Sequence, residues 1–130
     1  MKNIEKMKHT DILIIDDEIK FAAMLSKRIQ LRGYHSEICH DGKTALGWLK
    51  THGTAVTLIL LDLQLPDMYG TQVLTQIKMS HPDIPVIILT GHGTEQDRQE
   101  CEQLGAYLFI HKPLDIDQLM TLLEKIRETS

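Results

Sequence analysis

Residues 56–66, Val-Thr-Leu-Ile-Leu-Leu-Asp-Leu-Gln-Leu-Pro, carry the reading that decides the fold. Leu58 to Leu61, with Val56 just before, form an aliphatic run that lacks the apolar–polar alternation of a half-exposed strand. Such a run fits a strand covered on both faces, which belongs in a parallel sheet flanked by helices. It stops at Asp62, so a carboxylate stands at the strand's carboxyl end.

Working outward, Asp11-Ile-Leu-Ile-Ile15 and Val86-Ile-Ile-Leu89 are runs of the same kind, and His35 to His40 and Ala106 to Ile110 are weaker ones. Helical spacing fills the intervals. Glu18 to Arg32 places Phe21, Leu25 and Ile29, with Ala22, on one stripe and ends at Gly33. Asp41 offers an N-cap oxygen to a helix carrying Ala45, Leu46, Trp48 and Leu49. After a loop holding Pro66 and Gly70, where the glycine is expected to permit backbone angles other residues avoid, Val73, Leu74 and Ile77 form the inner face of a third helix, closed off by Pro82 and Pro85. Thr94 to Leu104 is expected to be loosely held, because Cys101 and Leu104 are nearly its only apolar residues. Asp115 to Glu128 buries Ile116, Leu119, Leu123 and Ile126. Five strand–helix units imply an α/β, flavodoxin-like (βα)5 fold with a doubly wound parallel five-stranded sheet, order 2-1-3-4-5. Ligands of such sheets bind beyond the carboxyl ends of the strands, between the first and third.

The chain has 130 residues, with 14 Lys plus Arg against 18 Asp plus Glu, a formal charge of -4. One domain over 10–130 is expected, preceded by a flexible tail over 1–9 in which Lys2, Lys6, Lys8 and His9 surround Glu5. The acidic balance argues against direct nucleic-acid binding. No signal peptide and no apolar run long enough to span a membrane is read, so a cytoplasmic location is expected. Cys39 and Cys101 lie far apart, outside any CxxC pair, and are expected as reduced thiols. His35, His40, His52, His81 and His111 show no zinc-ligand spacing and are expected at the surface.

Asp16 and Asp17 follow the first strand and Asp62 the third, so three carboxylates converge at one edge. Like charges this close are costly unless a cation joins them, and a hard divalent ion such as Mg2+ suits oxygen ligands that leave room for water and phosphate. Thr90 ends the fourth strand and Lys112 the fifth, bringing a hydroxyl donor and a cation suited to phosphoryl oxygens.

Asp16-Asp17-Glu18, Asp62 within Leu-Leu-Asp-Leu-Gln-Leu-Pro-Asp-Met-Tyr-Gly, Thr90 after Val-Ile-Ile-Leu, and Lys112-Pro113, in this order, resemble the receiver domain of two-component response regulators. The resemblance covers about Thr10 to Arg127. It implies that Asp62 is the phosphoacceptor, taking a phosphoryl group from the phosphohistidine of a sensor histidine kinase or phosphotransfer protein. It implies Mg2+ on Asp17 and Asp62, on Asp16 mainly through a metal-bound water, and on the backbone carbonyl of Gln64. Lys112 would pair with Asp62 at rest and with the phosphoryl group afterwards, while Thr90 would hydrogen-bond it. Phe109, three residues before the lysine, would turn inward with Thr90 and alter the face of the fourth helix, fifth strand and fifth helix, where a conditional homodimer or partner contact is expected. Tyr107 is expected to be buried on the opposite strand face, which a period of two permits only with a bulge. The resemblance also implies a cis Lys112-Pro113 bond, and autodephosphorylation tuned by Gln64 and His92.

Leu89-Thr-Gly-His-Gly93 resembles receivers of enhancer-binding transcriptional regulators and of hybrid kinases. The expectation is a free-standing regulator, or a receiver cut from a longer protein whose output is unknown. A haloacid-dehalogenase-type phosphatase would need an acid where Gln64 stands, and a cap domain. A degenerate receiver acting without phosphorylation is the remaining alternative, although every acid, hydroxyl and lysine of the pattern is present.

Overall fold

The structure is a computed structural model that describes residues 9–129; most of the expected N-terminal tail, residues 1–8, lies outside the described residues. Five strands, β1 (Thr10–Ile15), β2 (Ser36–Cys39), β3 (Val56–Leu61), β4 (Val86–Thr90) and β5 (Leu108–His111), form one parallel sheet in the order β2-β1-β3-β4-β5. The helices are α1 (Ile19–Leu31), α2 (Gly42–His52), α3 (Gly70–Ser80), α4 (Glu95–Gln103) and α5 (Ile116–Thr129). This is the flavodoxin-like order expected for the alternating pattern.

The aliphatic runs are continuous because each strand supplies both layers of the core. Leu13, Ile15, Ile59, Leu61, Val86 and Ile88 point into a layer closed by Ala45 and Leu49 of α2 and Val73, Leu74 and Ile77 of α3. The alternate residues Ile12, Ile14, Leu58, Leu60, Ile87 and Leu89 meet Ala22, Leu25 and Ile29 of α1 and Leu119, Leu123 and Ile126 of α5. The register sets Ile15 beside Leu61 and Leu61 beside Ile88, so β1 and β3 end level at their carboxyl ends and β4 runs two residues further, to Thr90. Asp41 caps α2 by accepting the Thr44 N–H at 2.7 Å.

Three local expectations change. Phe21 is only partly buried, and the buried stripe of α1 is Ala22, Leu25 and Ile29. Tyr107 is 44% exposed, and β5 begins one residue later. Its N–H donates to the Val86 carbonyl at 2.7 Å, which ties the backbone to the sheet while the ring faces outward, so no bulge is needed. Gly70 is the first residue of α3 and lacks a positive φ, unlike Gly33 and Gly105. What its position requires is space rather than unusual backbone angles. In α4 the expected sparse anchoring is seen, since Cys101 is its one buried residue, while Thr94 and Asp97 form a capping box and Arg98 pairs with Glu95 and Glu102 along the exposed face.

Cys39 and Cys101 are buried free thiols, and burial pushes both up to about 11, with nearby acids adding to the shift. No helix among the described residues is long and apolar enough to cross a membrane.

Candidate functional site

The ladder carries the acids into place. Beyond the end of β1, the Asp16 N–H donates to the Cys39 carbonyl at 3.0 Å, and beyond β3 the Asp62 N–H donates to the Ile15 carbonyl at 2.9 Å. Asp16 and Asp62 are therefore fixed by backbone pairing and buried, while Asp17 projects into solvent. One carboxylate oxygen from each of the three lies within 4.8 Å of the others.

Lys112 is brought to the same edge because its N–H extends the β4–β5 ladder to the Thr90 carbonyl at 2.9 Å. The Lys112–Pro113 peptide bond is cis. Its ammonium reaches Asp16 Oδ2 at 2.8 Å and Asp62 Oδ2 at 3.2 Å, and it also meets Glu18 Oε1. Burial raises the Asp16 pKa even though hydrogen bonds from Lys112 and the Glu18 N–H oppose it; the neighbouring Asp62 charge adds to the rise. Burial disfavours the charge on Lys112, but its hydrogen bonds to Asp16 and Glu18 and the charges of Asp16 and Asp62 outweigh that and hold its pKa above the ordinary range.

Thr90 is buried at the end of β4, with its Oγ1 accepting the His92 N–H at 3.4 Å. Gln64 is exposed, and its N–H donates to Asp62 Oδ1 at 3.3 Å. Gln64, Thr90, His92, Tyr69, Asp97 and Glu100 share a cleft of about 350 Å³ beside the acids. A larger cleft of about 890 Å³ opens near Val56, Pro85 and Tyr107 at the opposite edge of the sheet. Size alone would misplace the site, because the converging charges lie at the carboxyl ends. Phe109 is partly buried against Gly93: a side chain at that glycine would collide with the ring and come within 2.9 Å of the Thr90 methyl.

Several supporting contacts have no local signal in the sequence. Glu18 and the Phe21 ring, 4.4 Å from Lys112 Nζ, complete the surroundings of the ammonium. His40 Nδ1–H donates to the Asp16 carbonyl at 2.8 Å. Asp67 accepts the Gly42 and Lys43 N–H groups at 2.8 and 2.9 Å, tying the loop after β3 to the start of α2; those two bonds hold its carboxyl below the usual range. Each contact joins residues distant in the chain, and no local spacing encodes it. His111, expected at the surface, is exposed, and its Nε2–H donates to the Gly93 carbonyl at 2.9 Å.

Gly70 fits against the backbone beneath the site. A β-carbon there would lie 2.6 Å from both the Asp62 carbonyl oxygen and Leu63 Cα. Gly70→Ala is expected to cost about 1–3 kcal/mol, since backbone must shift to admit it. Urea denaturation checks this; an unchanged midpoint would show that the loop yields freely.

A doubly wound parallel sheet with acids, a hydroxyl and a lysine converging at its switch point defines an α/β domain of the flavodoxin-like class. Residues 12–124 match the family model described as the response regulator receiver domain, and the chain belongs to that family, a family of two-component signalling proteins. It is 36% identical over 118 residues, 90% of its length, to the regulatory protein LuxO of Vibrio vulnificus. It superposes on the crystal structure of the receiver domain of NtrX from Brucella abortus with TM-score 0.82 and 32% identity, covering 92% of this chain and all of that one. A CheX-CheY-BeF3-Mg2+ complex from Borrelia burgdorferi also matches, with TM-score 0.82 and 27% identity over 90% of this chain and 88% of that one. The chain spans about a quarter of the length of the curated relatives it matches.

Proposed function

We propose that this domain is a phosphorylation-dependent switch in which Asp62 takes a phosphoryl group from the phosphohistidine of a sensor histidine kinase or phosphotransfer protein. The observation that carries this reading is Lys112, held at 2.8 Å from Asp16 and 3.2 Å from Asp62 at the ends of neighbouring strands. The Asp62 carboxylate attacks phosphorus, an acyl-phosphate P–O bond forms, and the P–N bond to the donor histidine breaks. Lys112 moves from carboxylate to phosphoryl oxygen, and the Thr90 hydroxyl, whose oxygen already accepts the His92 N–H, donates its hydrogen to another.

Mg2+ fits the donor set: three clustered carboxylates, two of them buried, outnumber the one lysine, and burial already disfavours charge on Asp16. Asp17, Asp62 and the Gln64 carbonyl would hold it, with Asp16 acting mainly through water. When bound, the ion neutralises phosphoryl charge in the transition state. Protein residues otherwise contribute position and charge.

Phe109, packed beside Thr90 and Gly93, would follow Thr90 inward and remodel the α4-β5-α5 face. That face carries exposed Tyr107 and Leu108 and would receive a second copy, an output domain or another protein. A cytoplasmic location follows from the same reading. Gln64 and His92 border the cleft beside the acids and would set how readily water reaches the phosphoryl group. Single alanine substitutions at both are expected to change the acyl-phosphate half-life severalfold; unaltered decay in each would remove them from this role.

The reading is tested by incubating the protein with acetyl phosphate and Mg2+. Hydroxylamine-labile phosphate on the wild type supports it. A wild type that never labels favours a receiver that binds partners without phosphorylation.

A further inference from the structure

We propose that Glu18 is a positioning residue that retains Lys112 at the site when a metal ion engages Asp16 and Asp62. This rests on the functional reading above and adds a residue to it. Lys112 meets three carboxylates, but two of them, Asp16 and Asp62, also belong to the cluster suited to a cation. Glu18 alone among its partners stands outside that cluster. Once a cation shares the charge of Asp16 and Asp62, the ammonium loses much of its attraction to them, and it is repelled by the ion itself. Glu18 then remains to keep it within reach of Asp62.

Local structure supports this assignment. Glu18 occupies the N-cap position of α1, where a short polar side chain would normally bond the first turn, yet its side chain makes no capping bond. Its N–H instead donates to Asp16 Oδ1 at 2.9 Å and its carbonyl accepts the Ala22 N–H at 2.9 Å, fixing the backbone while the carboxylate extends to Lys112. Phe21, one turn on, places its ring 4.4 Å from the same ammonium. The start of α1 thus meets the lysine through both Glu18 and Phe21.

Mg2+ affinity, measured by calorimetry without any phosphodonor, tests the assignment. Glu18→Gln is expected to weaken binding about fivefold, the scale of a partly exposed ion pair. Glu18→Asp keeps the charge but loses one methylene of reach, and it is expected to weaken binding by a similar factor. In a Lys112→Met background both changes should cost about twofold or less, because only the screened field of the carboxylate remains. Circular dichroism establishes that each variant folds; if Lys112→Met does not, Glu18→Asp decides alone. Wild-type affinity in Glu18→Asp, or equal losses with and without Lys112, overturns the assignment. A wild type that binds no Mg2+ overturns the functional reading and this inference together.

Discussion

Asp62→Asn is expected to reduce labelling from radiolabelled acetyl phosphate to background, while the wild type gains an acid-stable, hydroxylamine-labile label. The amide keeps the shape of the carboxylate but is not a nucleophile, so the covalent step is removed rather than slowed. The fold should survive, because Lys112 keeps Asp16 and Glu18 as partners and the amide brings no new volume to the buried position. Circular dichroism and the urea midpoint of the variant separate loss of the acceptor from loss of structure. Undiminished labelling of Asp62→Asn would place the acceptor elsewhere.

Leu61→Ala is expected to have the largest effect on stability. Leu61 is fully buried, pairs with Ile15 on one side and Ile88 on the other, and lies in the layer closed by α2 and α3. Removing its branched end forfeits transfer free energy and leaves a cavity, a loss of about 2–5 kcal/mol. For a domain whose total stability is about 5–15 kcal/mol, that is a substantial share. Urea titration should show a lower midpoint with an unchanged slope. Because Leu61 directly precedes Asp62, the same variant should also loosen the acid cluster, seen as weaker Mg2+ binding in the fraction still folded. A midpoint equal to that of the wild type would mean that the layer closes over the gap.

These two substitutions sit one residue apart and separate the origins of the fold and the site. Leu61 can be assigned from its own neighbourhood, since an aliphatic run without alternation has one stable destination, between two layers of helices. Asp62 can be assigned because the run ends there, and a parallel sheet brings such ends together. Where local pattern is weak, the reading goes astray. Ala106 to Ile110 has neither clean alternation nor an unbroken aliphatic run, so its pattern starts the strand too early and buries Tyr107. Phe21 fits the apolar period of α1, but its ring lies under the Lys112 ammonium at the margin of the core.

By itself, the sequence determined the five strand–helix units, their order in the sheet, and the edge at which Asp16, Asp17, Asp62, Thr90 and Lys112 gather. Periodicity and strand-end position are local properties, and the handedness of parallel crossovers turns them into a topology. Only the tertiary structure decided which charges touch. That Lys112 spans Asp16, Asp62 and Glu18, that Asp67 fastens the loop after β3 to α2, and that Gly70 is needed for room rather than for its backbone angles all depend on distances between segments far apart in the chain. Such distances are set by how the helices pack on the sheet, which no single stretch of residues records.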